Sequence, residues 1–317
     1  MEFYLKIIPR SFLGLIFILL CSSCGGKTNA PAALSVTAVE NFLADIAQNV
    51  AGNRITVNSL IPSGIDPHEF QPSPKDLAAV AQSKMLIVNG AGMEGWLSQA
   101  LNNVGGTRLL ITASQGLSSR PPGNGATASC TPATTPTVIP ANIDPHFWMD
   151  PVLVKTYAAN IRDGFIQIDP AGQDIYRQNA AAYSTALDAL DLWIRSQINL
   201  IPPSQRLLVT NHESLGYFAD RYGFQIVGAI IPNVSPDAEP SAAQIADLIQ
   251  RIRSTGAKAI FLETGTNPQL ANQISRETGC RIVTDLYTHF LTPPGGVAST
   301  YLDMMRHDVT VIVEALQ

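Results

Sequence analysis

Five histidines and four cysteines stand among the 317 residues, and they set the range of metal chemistry open to the chain. Imidazole is the commonest protein metal ligand, because its neutral nitrogen coordinates without having to carry a charge. His68, His146, His212 and His289 fall where the sequence reads as loops or strand ends, while His307 lies inside an expected helix between Arg306 and Asp308. Four imidazoles can complete a tetrahedral shell. A metallohydrolase built on the same residues would need an open coordination position and a general base. No His-Glu-x-x-His cluster occurs to supply them. Of the cysteines, Cys21 and Cys24 are N-terminal. Cys130 and Cys280 have no metal-site spacing, and in an oxidising compartment they are candidates for a disulfide.

These residues need elements to position them. Leu34–Val39, Arg54–Leu60, Met85–Asn89 and Arg108–Ile111 read as strands, alternating with helices at Asn41–Val50, from Pro74 onward, and around Glu94–Asn103. Ser73 followed by Pro74 is an N-cap with proline at the first helical position. Residues 113–143 break the pattern with Ser, Thr, Pro and Gly, as a mobile surface loop would. Helices then follow at Pro151–Ile168 and near Gln173–Leu200, the second with an apolar stripe of Ala182, Leu187, Leu190, Trp193, Ile194 and Ile198.

The alternation resumes with strands at Arg206–Thr210, Gln225–Ile231, Ala259–Leu262 and Arg281–Thr284. Helices stand at Leu215–Tyr222, after the Ser241–Gln244 capping box, after Pro268, and at Ser299–Leu316. Repeated β–α alternation predicts mainly parallel sheets covered on both faces. The fold class is therefore α/β: two doubly wound lobes, residues 34–172 and 202–317, bridged by one long helix within 173–201. Such sheets bind ligands at the carboxyl ends of their strands. Two histidines fall in each lobe, an arrangement that suits an ion held between them.

Composition narrows the classes. The chain is 46% hydrophobic and 14% charged with a formal charge of −5. That is too apolar for a disordered chain and lacks the basic footprint of nucleic-acid binding. Its single long apolar run, Phe12 to Leu20, follows Lys6 and Arg10 and is shorter than the ~20 residues of a membrane span. Ser22-Ser23-Cys24 after it resembles a bacterial lipoprotein signal, so residues 1–23 are expected to be removed, Cys24 lipidated, and residues 24–33 left as a tether. Cys21 takes the place where such signals usually carry leucine.

His68 lies in Pro62-Ser-Gly-Ile-Asp-Pro-His-Glu-Phe-Gln-Pro-Ser-Pro74, His146 in Asp144-Pro-His-Phe-Trp-Met-Asp-Pro151, and His212 in the stretch Thr210–Gly223. Glu239-Pro-Ser241, Gly295-Gly296 and Thr300–Met305 follow. Over residues 34–317 this set closely resembles the metal-specific solute-binding lipoproteins of bacterial ABC transporters, the zinc and manganese uptake group. The resemblance implies one divalent cation in an interlobe cleft, a monomer tethered to the membrane by its lipid, and an ABC permease with its ATPase as partners. It implies an exported, non-enzymatic protein, on the outer face of the cytoplasmic membrane or in the periplasm.

Carried over, His68 and His146 match the two ligands of the N-terminal lobe and His212 the third. The fourth position is usually an aspartate, but here the stretch reads Leu286-Tyr-Thr-His-Phe-Leu291. Either His289 is the fourth ligand, or Asp285 supplies a carboxylate while His289 sits nearby, or the position is open to water. A histidine-rich shell favours Zn2+, with Mn2+ the alternative where carboxylates dominate. Many zinc-binding relatives carry a His- and Asp-rich loop before the second ligand; residues 113–143 contain no histidine. Glu263 and Glu213 are placed to steady the ligand rings. Phe147, Trp148 and Tyr217 read as packing residues.

Overall fold

The computed structural model describes residues 34–120, 143–234, 236 and 239–317. The expected export signal, Cys24, Cys130 and residues 121–142 of the expected loop lie outside them. Four strands, β1 (Val36–Ala38), β2 (Val57–Ser59), β3 (Met85–Val88) and β4 (Leu109–Thr112), pair in parallel in the order β2-β1-β3-β4. Between them run α1 (Asn41–Ala51), α2 (Pro74–Gln82) and α3 (Leu97–Val104). The helices α4 (Pro151–Ile168) and α5 (Gln173–Ile198) lead to a second parallel sheet of β5 (Leu207–Thr210), β6 (Gln225–Ala229), β7 (Ala259–Glu263) and β8 (Arg281–Leu286). Its order, β6-β5-β7-β8, repeats that of the first. The helices α6 (Gly216–Tyr222), α7 (Ala242–Thr255), α8 (Gln269–Thr278) and α9 (Tyr301–Leu316) complete it.

Alternation along the strands divides the apolar residues between two layers, as a period of two requires. Val36, Ala38, Met85 and Ile87 face one core, Leu86 and Val88 another under α2 and α3. In the second sheet Leu208 and Phe261 join that first core, while Val209, Ile260 and Leu262 pack beneath α7 and α8. One core thus runs without interruption from β1, through α4 and α5, to Leu316. Residues 34–317 form a single compact unit.

The caps act where the sequence puts them. Ser73 and Ser241 each accept the N–H three residues on, and Asp76 and Gln244 return the bond to the cap backbone. Along α5 the buried row is Tyr176, Ala180, Tyr183, Leu187, Leu190, Ile194 and Ile198, with Ala182 exposed. The 3–4 spacing runs through tyrosines that an apolar count overlooks. Strand β2 is shorter than expected because the Gln48 side chain takes up the Ile55 carbonyl and the Val57 N–H, while Arg54 pairs with Asp169. Strand β8 runs two residues further than expected, to Leu286. Cys280 is buried and has no disulfide partner among the described residues, which leave out Cys130; its thiol donates to the Ala257 carbonyl at 2.9 Å.

Candidate metal centre

The two N-terminal histidines are presented by one repeated device. In Asp66-Pro67-His68 the aspartate Oδ1 accepts the histidine N–H at 2.8 Å, and in Asp144-Pro145-His146 it does so at 3.0 Å. The second turn is fixed further by Asn89, which follows β3 and donates to the Pro145 carbonyl at 3.0 Å. Tyr157 in turn donates to Asn89. His212 stands two residues beyond β5, where the Thr210 hydroxyl donates to its carbonyl at 2.7 Å. His289 follows β8, and the Trp148 indole donates to the carbonyl of the preceding Thr288 at 2.7 Å. All four rings therefore arrive past the carboxyl ends of β2, β4, β5 and β8.

There they converge. His68, His146, His212 and His289 each place one ring nitrogen within 4.8 Å of the others. The Nε2 atoms of His68 and His146 are 3.3 Å apart, and those of His146 and His289 are 3.0 Å apart. Four nitrogens at about 2.0–2.1 Å around tetrahedral zinc would be separated by about 3.3–3.4 Å, so the spacing suits a small cation. His146 and His212 are fully buried, His289 is 3% exposed, and His68 is half-buried. Neither buried ring nitrogen of His212 makes a hydrogen bond among the described residues, although Nδ1 faces Glu263 Oε1 at 3.3 Å. An orphaned buried polar group is costly. Coordination would satisfy one of these nitrogens.

Surrounding groups set ring orientation and charge. His146 Nδ1 lies 2.8 Å from Asp144 Oδ1, which leaves Nε2 to face the cluster. Burial raises the Asp144 carboxyl to about 7, although the His146 N–H and Arg120 oppose the rise. Burial, with the neighbouring imidazoles adding to it, lowers His68 and His146 well below the usual imidazole range. Burial lowers His212 as well, against the pull of Glu263. Glu263 Oε1 is 3.3 Å from His212 Nδ1 and Oε2 is 3.6 Å from His289 Nδ1. Burial would lower His289 too, but Glu263 outweighs it and raises that ring. Burial alone would raise Glu263, yet His212 and His289 hold it below the usual carboxylate range. Three rings are thus kept neutral and ready to coordinate.

The sequence candidates separate on this geometry. His289 is in the cluster. Asp285 is exposed on β8, its Oδ1 accepting from Thr284 at 3.3 Å, and it is not. His307 is on α9, donating to the Asp285 carbonyl at 2.9 Å. Glu263 touches two of the rings. Glu213 is half-buried, with its N–H donating to Asn233. Phe147, Trp148 and Tyr217 do pack, Trp148 stacking on Phe42 at 4.5 Å and Phe147 lying 4.7 Å from Tyr217. They also brace the site: Tyr217 donates to the Asp144 carbonyl at 2.8 Å.

Sequence reasoning missed Asp66, Asp144, Asn89 and Thr288 as supports. The repeated Asp-Pro-His was the available signal for the first two. Nothing local marks Asn89, and Thr288 Oγ1 lies 2.7 Å from His289 Nδ1 only because the loop folds back.

Residues 36–315 match the family model described as zinc-uptake complex component A, periplasmic. The manganese-binding lipoprotein MntA of Halalkalibacterium halodurans is 31% identical over 316 residues, covering 98% of this chain and 99% of that protein. The manganese ABC transporter substrate-binding lipoprotein PsaA of Streptococcus pneumoniae is 27% identical, over 96% of each. A manganese-bound mutant of a periplasmic metal-binding protein from Candidatus Liberibacter asiaticus superposes with a TM-score of 0.77, at 29% identity, over 89% of this chain and 99% of that one.

Proposed function

Since the chain belongs to the zinc-uptake complex component A family, we propose that it captures one divalent cation outside the cytoplasm, zinc in preference to manganese, for delivery to an ABC permease and its ATPase. Members of the family are solute-binding proteins rather than enzymes. The reading assigns His68, His146, His212 and His289 as the ligands. The observation that carries it is the convergence of four imidazoles in a buried pocket, with His212 Nε2 buried and without a hydrogen bond among the described residues.

Imidazole suits zinc, copper and nickel, whereas manganese prefers carboxylate and water. A second reading, manganese, is favoured by the names of the two relatives and by the carboxylates of Asp66 and Glu263 beside the cluster. Those relatives are lipoproteins, which supports Cys24, outside the described residues, as the acylated anchor.

The protein, stripped and refolded with equal zinc and manganese, is expected to retain one zinc per chain by elemental analysis. Retention of manganese instead would overturn the zinc assignment.

A further inference from the structure

Beside the four imidazoles lies a cavity of about 780 Å3, with Asp66, Glu69, Glu239, Glu263 and His289 among the residues in its wall and no lysine or arginine. Three of these form a second group. Asp66, Glu263 and His289 bring one potential ligand atom each within 4.8 Å of one another. His289 belongs to both groups, its Nε2 turned to His146 at 3.0 Å and its Nδ1 to Thr288 Oγ1 at 2.7 Å and Glu263 Oε2 at 3.6 Å.

We propose that Asp66, Glu263 and His289 form an outer cation site, through which the ion passes between the cavity and the four-imidazole centre. The inference rests on the metal-binding reading above. Its physical basis is a division of labour between donors. Neutral imidazoles bind a dication well at contact but exert no net Coulombic attraction on it from a distance. Carboxylates in a cleft of one sign focus the field and raise the local cation concentration. Being hard oxygen donors, they also accept an ion that still holds much of its water. Asp66 and Glu263 therefore receive the hydrated ion, and His289 is the first imidazole to displace a water from it. Transfer inward then exchanges oxygen for nitrogen one ligand at a time. Because His289 is common to both groups, the ion occupies them in turn, and each chain holds one.

Asp66→Asn separates the charge from the fold, since an amide oxygen can still accept the His68 N–H that Asp66 Oδ1 takes at 2.8 Å. Trp148, with its ring 5.1 Å from His146 and 5.6 Å from His289, reports loading by fluorescence. In stopped-flow mixing with Zn2+ at low salt, Asp66→Asn is expected to load about tenfold more slowly, the gap closing as salt rises. Asp174→Asn, an equal charge change on the exposed face of α5, should load within twofold of wild type.

A second measurement isolates the outer site. The double variant His146→Ala/His212→Ala, its folding checked by circular dichroism, should hold one weakly bound Mn2+ per chain by electron paramagnetic resonance, and adding Asp66→Asn should abolish it. Loading of Asp66→Asn at the wild-type rate would overturn the proposal, as would a folded double variant that binds no Mn2+. If the double variant does not fold, the kinetic comparison decides. Wild-type protein that takes up no zinc would instead defeat the reading of the centre itself.

Discussion

Glu263 reaches the rings of His212 and His289 at once, and it divides the four histidines electrically. Against burial it raises His289, with Asp66 and Asp144 adding to the rise, while burial lowers the other three. An acid in the place of His289 would set a second negative charge beside Glu263. An imidazole there makes the arrangement less costly. His289→Ala should weaken zinc binding by at least about a hundredfold in competition with a chelating dye, the 10–100-fold range of outer-contact mutations being the lower bound. Asp285→Ala should change it by less than about threefold, and equal losses would show that the fourth ligand lies elsewhere. The motif in the sequence favoured His289 but left Asp285 open as the alternative. A strand ending at Thr284 leaves Asp285 free to turn inward, whereas β8 continues to Leu286. Strand alternation then buries Leu286 and turns Asp285 outward. The roles of Asn89 and Thr288 were hidden for a related reason, because each depends on which distant loop folds against it.

Among the elements, helix starts were the most legible, since a capping box is a local device: Ser73 and Ser241 are visible within four residues of sequence. Strand order was not. Alternation dictates parallel pairing, but the repeated arrangement with β1 and β5 inside their sheets is a tertiary outcome. The junction of α1 and α9 illustrates what local patterns miss. Asp45, on the expected helix α1, accepts the N–H of Tyr301 at the start of α9 at 2.9 Å. Asn41 on the same helix exchanges two hydrogen bonds with the backbone of Leu291. Burial raises the Asp45 carboxyl to about 6 despite that N–H, and Asp303 adds to the rise.

A carboxyl raised on folding contributes its stability below its unfolded value and loses it as pH rises through the folded one. Asp45 thus favours the fold most below about pH 4, and the contribution is gone above about pH 6. Asp45→Asn keeps an acceptor without the charge. It should be more stable than wild type by about 1–2 kcal/mol at pH 7.5, allowing for partial exposure of the side chain. In urea titrations the gain should vanish at pH 4; a gain independent of pH would refute the assignment.

At the scale of the molecule, the two sheets share one apolar core. Trp148 illustrates the join: it stacks on Phe42 from α1, donates to Thr288 after β8, and accepts from the Tyr301 hydroxyl at 2.6 Å through its carbonyl. A two-lobe organisation was legible from the restart of alternation after Pro202-Pro203. That the lobes would share one core layer besides the layer each keeps for itself was not, because period and spacing carry no information on which buried faces meet. Calorimetry of the metal-free protein should show one cooperative transition. Two separable transitions would mean that each lobe melts alone.

The shared core gives metal loading a reach beyond the pocket. An ion that binds only the folded chain adds about 2.7 kcal/mol to folding at a hundred times its dissociation constant. With one core layer common to both sheets, that increment belongs to every segment that opens only by global unfolding. A carrier that has given up its cargo is then easier to digest along its whole length, so empty and laden molecules would survive for different times among proteases.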